Sequence, residues 1–369
     1  MMAKKNLKEA KDNKIDEFYT QLEDIEKELS NYREQFKGKV VFCNCDDPYE
    51  SNFFKYFALN FNFLGLKKLI ATCHITSPIV GQQLTLDDLF NEDGSPRESI
   101  KSHSYKIEIT EVKGRAGSYN LFDVEYLIRN KKNVLTPLEG DGDFRSPECI
   151  ELLKEADIVC TNPPFSLFRE FIALLEEYNK KYIVIGNTNA LTYREIFKLI
   201  KEDRIRTGYT NFNVGMFFFV PDSCQKYHKI VDGRKMVRVS TSCWFSNMEV
   251  RKHNEEMILF KRYEEELYPK YYNFDAININ KVSDIPVDWD GLMGVPITFL
   301  DKYNPNQFEV IGLGISNSGL EIGVRPYTPE HKKYRKEVQK RGAVDGDLYM
   351  LTDGVVDVPY ARVIIRKRG

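Results

Sequence analysis

The sequence lacks any apolar run long enough to cross a membrane. No window approaches the roughly eighteen apolar residues that a transmembrane helix needs. Residues 1–8 are polar and Lys-rich and do not form the apolar core of a signal peptide. We therefore expect a soluble, cytoplasmic protein with no membrane partner.

Paired cysteines are also missing. The seven cysteines show neither the spacing of a disulfide framework nor that of a structural zinc site. Cys43 and Cys45 precede His74, but no second pair follows them, and alternate residues of a strand share a face for packing reasons. We expect buried, reduced thiols and no metal.

A global excess of basic charge is absent too. Lys and Arg number 53 against 55 Asp and Glu, which argues against a basic coat over the whole molecule. Residues 325–369 differ locally, with eleven Lys or Arg against six Asp or Glu, a balance suited to phosphate contact. A chain of 369 residues exceeds the usual size of one domain, so we expect two domains or one with a large appendage.

A rigid loop at the end of an apolar strand is the most informative feature that is present. Residues 155–161 run directly into Asn162, Pro163, Pro164 and Phe165. The two prolines fix φ at about −65° and carry no N–H, so the loop is stiff and its carbonyls can accept hydrogen bonds. An amide and a flat ring beside such acceptors suit an exocyclic amino group on a planar ring. An ordinary strand-to-turn exit is the alternative.

The pattern around this loop predicts an α/β fold. Helical spacing from Phe18 to Gly38 precedes a strand over residues 39–45, a helix from about Ser51 and a strand over residues 67–73. Strand, helix and strand in so short a span indicate a βαβ unit and a parallel sheet.

The α/β rhythm is interrupted and then resumes. Residues 75–103 look loop-rich, and residues 105–112 and 121–128 alternate as in an inserted hairpin. The rhythm continues with helices over 147–154 and 167–178 and strands ending at Asn162 and over 182–185. Further predicted strands cover residues 212–220, 237–248, 308–313 and 361–365, whereas Gly312, Gly314 and Gly319 are interpreted as a loop.

The first predicted βα turn, Asn44, Cys45, Asp46 and Asp47, contains no glycine. Its carboxylates would repel a phosphate but attract a cationic or hydroxyl-rich ligand. A phosphate-free nucleoside such as S-adenosylmethionine fits this description. The alternative is that the aspartates only cap the next helix.

These residues resemble the EcoRI-type adenine-specific DNA methyltransferases. Asn162–Phe165 is similar to the catalytic motif of amino-group methyltransferases, and Phe18, Tyr19 and Thr20 resemble a Phe-Tyr-Thr cofactor motif. The resemblance rests on residues 16–29, 38–48, 64–73, 161–165, 243–248 and 288–305. The order of the motifs is that of the gamma arrangement, but the glycine-free turn departs from the commoner pattern.

The resemblance implies a Rossmann-like class I methyltransferase sheet in residues 1–250, with an inserted loop and hairpin at 75–135, and a C-terminal DNA-recognition region at 251–369. It implies S-adenosylmethionine as cofactor, with Asp143 and Phe144 at its adenine. Trp244 or Phe245 is expected either to face the substrate base, with Phe165 stacked on it, or to pack in the core. Lys113 and Arg115 are expected to contact DNA phosphates.

The implied activity is methyl transfer to N6 of a flipped adenine in a specific double-stranded DNA sequence, as the modification enzyme of a restriction-modification system. We expect a monomer in a prokaryotic cell or mobile element, with a cognate endonuclease acting on the same site without a stable complex. Two alternatives remain open: a protein-glutamine or RNA amino-group methyltransferase, and an inactive DNA-binding relic.

Overall fold

The computed structural model describes residues 19–45, 51–73, 104–112, 135–220 and 224–368. The chain divides into two compact units. The first comprises Met1–Thr188 and Gly208–Met248, and the second comprises Asn189–Thr207 and Glu249–Gly369.

Eighteen strands lie in the described part of the chain. In chain order they are β1 (Tyr19–Thr20), β2 (Val40–Cys43), β3 (Lys68–Thr72), β4 (Tyr105–Ile109), β5 (Leu135–Pro137), β6 (Ile158–Thr161), β7 (Lys181–Asn187), β8 (Arg206–Thr207), β9 (Met216–Phe219), β10 (Lys229–Val231), β11 (Arg234–Val239), β12 (Ser242–Ser246), β13 (Ile277–Asn278), β14 (Met293–Pro296), β15 (Phe308–Leu313), β16 (Met350–Thr352), β17 (Val355–Asp357) and β18 (Arg362–Lys367).

Eight α-helices accompany them among the described residues: α1 (Leu22–Leu29), α2 (Asn52–Leu59), α3 (Phe61–Leu64), α4 (Pro147–Glu155), α5 (Phe168–Glu177), α6 (Arg194–Lys201), α7 (Ser316–Glu321) and α8 (Pro329–Glu337). Short 3-10 segments lie at Ser30–Phe36, Phe165–Leu167, Thr188–Thr192, Arg251–Asn254, Val282–Asp284 and Ile297–Lys302.

The first unit is built on a large mixed sheet. Its strands lie in the order β5, β4, β3, β2, β6, β7, β12. The central four, β3, β2, β6 and β7, are parallel, whereas β4 and β12 run antiparallel to their neighbours. Strands β2 and β6 are buried along their whole length, which explains their continuous apolar sequences. The predicted βαβ unit of β2, α2 and β3 is confirmed, and so is an α/β fold. The sheet is mixed, whereas the sequence indicated a parallel sheet.

The first predicted helix is wrong at its start. Helix α1 begins only at Leu22 and passes into the 3-10 segment Ser30–Phe36, whereas Tyr19–Thr20 forms a strand. Thr20 pairs with Phe218 of β9, about two hundred positions along the chain. Such a long-range ladder overrides the local helical spacing, because the backbone groups of residues 19–20 find partners in β9.

The single strand predicted over residues 237–248 is also wrong. A turn at residues 240–241 separates β11 from β12. Strand β12 is fully buried beside β7, whereas β11 is half-exposed and belongs to a second, antiparallel sheet in the order β1, β9, β11, β10. The change of burial along the sequence reflects this change of sheet.

The predicted hairpin insertion and the glycine-rich segment both differ from expectation. Residues 105–109 were expected in an inserted hairpin. They form β4, which lies between β3 and β5 in the large sheet and is hydrogen-bonded to both. The second predicted strand of the hairpin, residues 121–128, lies outside the described part. The interpretation of Gly312, Gly314 and Gly319 as a loop is wrong for Gly312, which lies in β15, and for Gly319, which lies in α7; only Gly314 lies in the short connection between them. Gly319 lies against the Gly346 backbone, where a side chain would not fit.

The second unit has its own sheet and core. Strands β13, β14, β18 and β15 form one sheet, and β16 and β17 form a hairpin. The strands predicted over 308–313 and 361–365 are confirmed as β15 and β18. A buried cluster around Tyr271, Leu348 and Ile364 lies on this sheet.

Candidate active site

The acceptor loop, Asn162–Phe165, leaves the carboxyl end of β6 in the middle of the large sheet. Asn162 is 8% exposed and Pro163 is buried. The Pro164 carbonyl accepts a hydrogen bond from the Leu167 backbone N–H at 2.9 Å, which starts the 3-10 segment. That carbonyl is therefore already used, and the predicted acceptor pair, the Asn162 amide and the Pro163 carbonyl, does not include it.

The loop is tied to the predicted cofactor turn. Strands β2 and β6 are parallel neighbours, so both carboxyl ends open at the same edge of the sheet. The Thr161 hydroxyl donates a hydrogen bond to the Asn44 carbonyl directly across that edge. Thr161 and Asn44 are both buried, so this hydrogen bond holds the end of β6, which leads into Asn162, against the end of β2.

Cys45 gives the turn a glycine-like conformation. Its φ is +67°, in the left-handed region. The turn therefore keeps the backbone shape that favours glycine although the sequence contains none. Asp46 and Asp47 lie outside the described residues.

Strand β1 reaches the same site from the N-terminal side. The Asn52 amide, at the start of α2, donates to the Thr20 carbonyl at 2.7 Å. Phe218, which pairs with Thr20, makes an edge-to-face contact with Phe165 at a centroid distance of 6.5 Å. The structure thus brings Thr20, the Asn44 turn and the acceptor loop together. Phe18 and the side chain of Tyr19 lie outside the described residues.

Two buried side-chain oxygens near this edge are unsatisfied within the described part of the chain. Thr20 Oγ1 and Asn44 Oδ1 have no hydrogen-bond partner there, although the residues are only 3% and 2% exposed. Buried polar atoms in proteins are normally paired with protein, water or ligand. These oxygens suit a ligand rich in ammonium and hydroxyl donors.

Asp143 and Phe144 follow β5 and lie beside the end of β3. Gly142 packs so closely on the Cys73 carbonyl that a methyl group there would lie 2.1 Å from its oxygen. Phe144 is buried against Phe171 of α5, with ring centroids 5.1 Å apart. The Asp143 carboxylate accepts from both Arg145 Nε at 2.9 Å and Nη2 at 2.7 Å.

Arg145 was not identified from the sequence. Its Nη1 also donates to Glu170 of α5 at 2.8 Å, so it joins the loop after β5 to the helix after the acceptor loop. The spacing of Asp143 and Arg145 offered a local signal for the ion pair. Nothing in the sequence pointed to Glu170, which only the fold brings near.

Trp244 and Phe245 are fully buried on opposite faces of β12. Trp244 packs edge-to-face on Phe53 of α2 at 5.8 Å, and Phe245 lies on Phe168 of α5 at 5.0 Å. These contacts account for both rings as core residues, one of the two interpretations that the sequence left open.

Glu28 is a second residue that sequence reasoning missed. It is fully buried on α1, where its carboxylate accepts from the backbone N–H groups of Tyr209 and Thr210 at 2.6 and 2.7 Å. The Thr210 hydroxyl donates at 2.6 Å and the Tyr32 hydroxyl at 2.8 Å. Burial raises the pKa of Glu28, while these donors act in the opposite direction. The carboxylate fixes the segment that leads into β9.

The Cys160 thiol, two residues before the acceptor loop, is inaccessible and is held in its protonated form. Cys160 is completely buried in β6, and burial raises the pKa of its thiol. Within the described residues no group of three or more His, Cys, Asp or Glu could hold a metal ion. No helix in the described ranges is long and apolar enough to span a membrane.

The residues predicted to contact DNA phosphates are only partly described. Lys113 and Arg115 lie outside the described ranges. Two cations of this segment have partners within the second unit. Lys332 Nζ forms an ion pair with Asp345 Oδ2 at 2.7 Å, and the buried Arg362 donates from Nε to Asn278 Oδ1 at 3.1 Å. Part of the basic excess after residue 325 therefore stabilises the second unit.

Comparisons with known proteins identify the family to which the chain is similar. The family described as adenine-specific methyltransferase EcoRI matches residues 6–368. The chain is 43% identical to type II methyltransferase M.EcoRI of Escherichia coli, over 88% of this chain and 94% of that protein. It is 40% identical to type II methyltransferase M.MpnI of Mycoplasma pneumoniae, over 82% and 83% of the two chains. No solved structure matches. The chain belongs to the family of EcoRI-type adenine-specific methyltransferases.

Proposed function

We propose that this protein methylates N6 of an adenine in a specific double-stranded DNA sequence and that the acceptor loop is its catalytic element. Adenine-specific DNA methylation as part of restriction-modification is the activity of its family. The observation that carries the catalytic assignment is the position of Asn162 at the carboxyl edge of two central parallel strands, directly after Thr161, whose hydroxyl donates a hydrogen bond to the Asn44 carbonyl.

The chemical problem is that the N6 lone pair of adenine is delocalised into the ring. Asn162 Oδ1 and the Pro163 carbonyl accept hydrogen bonds from the two N6 hydrogens, which draws the nitrogen toward tetrahedral geometry and frees its lone pair. Bound S-adenosylmethionine would supply the methyl group, and its sulfur would keep the electron pair of the broken S–CH₃ bond as a neutral thioether. The methylated nitrogen, now cationic and acidic, then loses one N6 proton to solvent water. No strong base is required, because catalysis comes from positioning and preorganised dipoles.

S-adenosylmethionine supplies the electrophilic methyl group when it is bound. Thr20 and Asn44 have unsatisfied buried oxygens that fit its ammonium and hydroxyl donors. Phe18, Tyr19, Cys45, Asp46 and Asp47 complete the cofactor site in this proposal. Asp143 and Phe144 would hold its adenine, which requires the Asp143 carboxylate to share or release Arg145.

The target adenine is shielded in a duplex and must be extruded, and we assign Phe165 to stack on it. Its ring is partly exposed and braced by Phe218. Trp244 and Phe245 are assigned to packing beneath the site and not to the base wall, because neither ring has exposed surface. Lys113 and Arg115 are retained as phosphate contacts.

We assign methyl transfer to a Rossmann-like class I domain over residues 1–250, with an insertion at 75–135, and sequence recognition to residues 251–369. The parallel strands β3, β2, β6 and β7 support the first assignment. The enzyme acts as a monomer, and a cognate endonuclease cleaves the same sequence without a stable complex.

Methyl transfer from labelled S-adenosylmethionine to duplex DNA, RNA and protein tests this function. Wild type should label duplex DNA at adenine. Asn162→Ala removes an acceptor and should reduce the rate by on the order of a hundredfold to a thousandfold, the usual loss for one preorganised polar group. Asn162→Asp keeps an oxygen acceptor and should retain more activity. The proposal would be rejected if the wild-type protein transferred labelled methyl groups only to RNA or protein, or to no substrate at all.

A further inference from the structure

The small antiparallel sheet of the first unit carries an exposed face rich in cations and aromatic rings. We call it the cationic face and define it by Phe217, Phe219, Lys229, Arg234 and Arg238. Residues opposite each other in a ladder share a face, and Arg238 pairs with Phe217 while Met236 pairs with both Phe219 and Lys229. Alternation along β11 places Arg234 on that same face.

Two of the three cations of this face lie over aromatic rings, and the third, Arg238, donates from Nη2 to the Val214 carbonyl at 2.8 Å. Lys229 Nζ lies 4.5 Å from the Phe217 centroid, and Arg234 Cζ lies 4.4 Å from the Phe219 centroid. A cation over a ring is positioned without being neutralised, unlike one in an ion pair. Lys229 and Arg238 form no ion pair with any described residue, and both are exposed.

The charge of the surrounding hairpin is strongly one-sided. Residues 224–239 contain five Lys or Arg and one acidic residue, Asp232. Asp232 lies at the hairpin turn with Gly233, where φ is +49° and +77°. At the other end of the face, Asp24 and Lys27 line a cavity of about 550 Å³ together with Arg238. The net charge of this surface complements a polyanion.

The cationic face lies one sheet thickness from the acceptor loop. Thr20 and Phe218 belong to the opposite face of the same sheet, and Phe218 contacts Phe165. The small sheet therefore has the contact to Phe165 on one face and the exposed cations on the other. Duplex DNA carries one negative charge per ~1.7 Å of its axis, so several phosphates flank the extruded base.

We propose that the cationic face binds the phosphate backbone of the substrate duplex beside the target adenine, with Lys229 and Arg238 each neutralising a phosphate. The inference rests on the proposed function, because it takes duplex DNA as the substrate. It adds a DNA contact within the first unit, independent of the basic segment after residue 325.

The salt dependence of DNA binding tests this inference. A fluorescent duplex containing the methylated sequence is titrated at several salt concentrations with wild type and with Lys229→Gln/Arg238→Gln. The slope of log affinity against log salt should become shallower by about 1.8, because each lost phosphate contact contributes ~0.9. Lys229→Arg/Arg238→Lys keeps both charges and should keep the wild-type slope.

The matched control is Lys154→Gln/Lys198→Gln, which removes the same charge from two exposed, ion-paired helix positions. Its slope should equal that of wild type. Titration with S-adenosylmethionine checks that each variant is folded. An unchanged slope for Lys229→Gln/Arg238→Gln, or an equal loss in the control, would overturn the inference.

The same titration separates this inference from the proposed function. Wild type that binds and methylates the duplex, with an unaltered slope in Lys229→Gln/Arg238→Gln, rejects the cationic face alone. Wild type that neither binds nor methylates duplex DNA rejects the proposed function and the cationic face together.

Discussion

At the scale of single residues, Cys45 carries a conformation that its side chain disfavours. Its φ of +67° costs a residue with a Cβ roughly 1–2 kcal/mol relative to glycine. We expect Cys45→Gly to keep stability and cofactor affinity close to wild type, because the relief of strain offsets the greater entropy of the unfolded chain. Chemical denaturation and titration with S-adenosylmethionine measure both properties.

The matched variant at this position is Cys45→Val. A β-branched residue tolerates positive φ poorly, so we expect lower stability and weaker cofactor binding. Equal cofactor affinity in Cys45→Val and Cys45→Gly would show that the conformation of this turn is unimportant for binding.

Individual site residues were predictable from the sequence where a local motif marked them. Asn162 and Pro163 became candidates through the stiffness and acceptor chemistry of their loop, and Asn44 through its place after an apolar strand. Arg145 and Glu170 did not, because their ion pair depends on α5 lying beside the loop after β5. Cys45 gave no sign of its left-handed backbone, since nothing about a cysteine favours it.

At the scale of elements, Glu28 connects α1 to the segment entering β9. Glu28→Ala would leave the buried donors of Tyr209 and Thr210 without their acceptor, at about 1–3 kcal/mol for each unsatisfied group. We expect a clear loss of unfolding free energy in denaturant titrations. Glu23→Ala removes an exposed carboxylate from the same helix and should leave the denaturation midpoint unchanged.

A functional consequence should accompany that loss of stability. Strand β9 carries Phe218, which braces Phe165, so methyl transfer by folded Glu28→Ala should also slow. If Glu28→Ala unfolds at the same denaturant concentration as Glu23→Ala, Glu28 does not hold this segment.

Elements were predictable where their pattern is local. The βαβ unit of β2, α2 and β3 follows from apolar runs, a capping serine and a short connection. The small sheet was not predictable, because β1 has two residues and pairs with a strand about two hundred positions away. The break between β11 and β12 was hidden because both halves have strand-like composition.

At the scale of the whole molecule, pH should alter stability through His253. Its ring is buried in the second unit, with Nε2 2.9 Å from the Thr207 carbonyl. Burial, assisted by the positive charge of Arg206, lowers the pKa of His253 from 6.5 to about 4. The unfolded chain therefore takes up a proton at a higher pH than the native protein does.

The sign of the effect follows from this difference in pKa. The contribution of His253 is fully present above pH 6.5 and is lost as the pH falls toward about 4. The loss should be about 1.4 kcal/mol per pH unit within that window. In His253→Gln the amide can still donate to Thr207 but does not titrate, so its unfolding free energy should fall less steeply. Parallel curves for the two proteins would contradict this account.

The central claim is that Asn162 holds N6 of a DNA adenine for methyl transfer. The most direct test is a genome-wide map of N6-methyladenine in cells without other adenine methylation, expressing wild type, Asn162→Ala or Asn162→Asp. We predict methylation at one defined sequence with wild type, its loss with Asn162→Ala, and partial methylation of the same sequence with Asn162→Asp. Full methylation by Asn162→Ala, or methyl groups on another base, would contradict the claim.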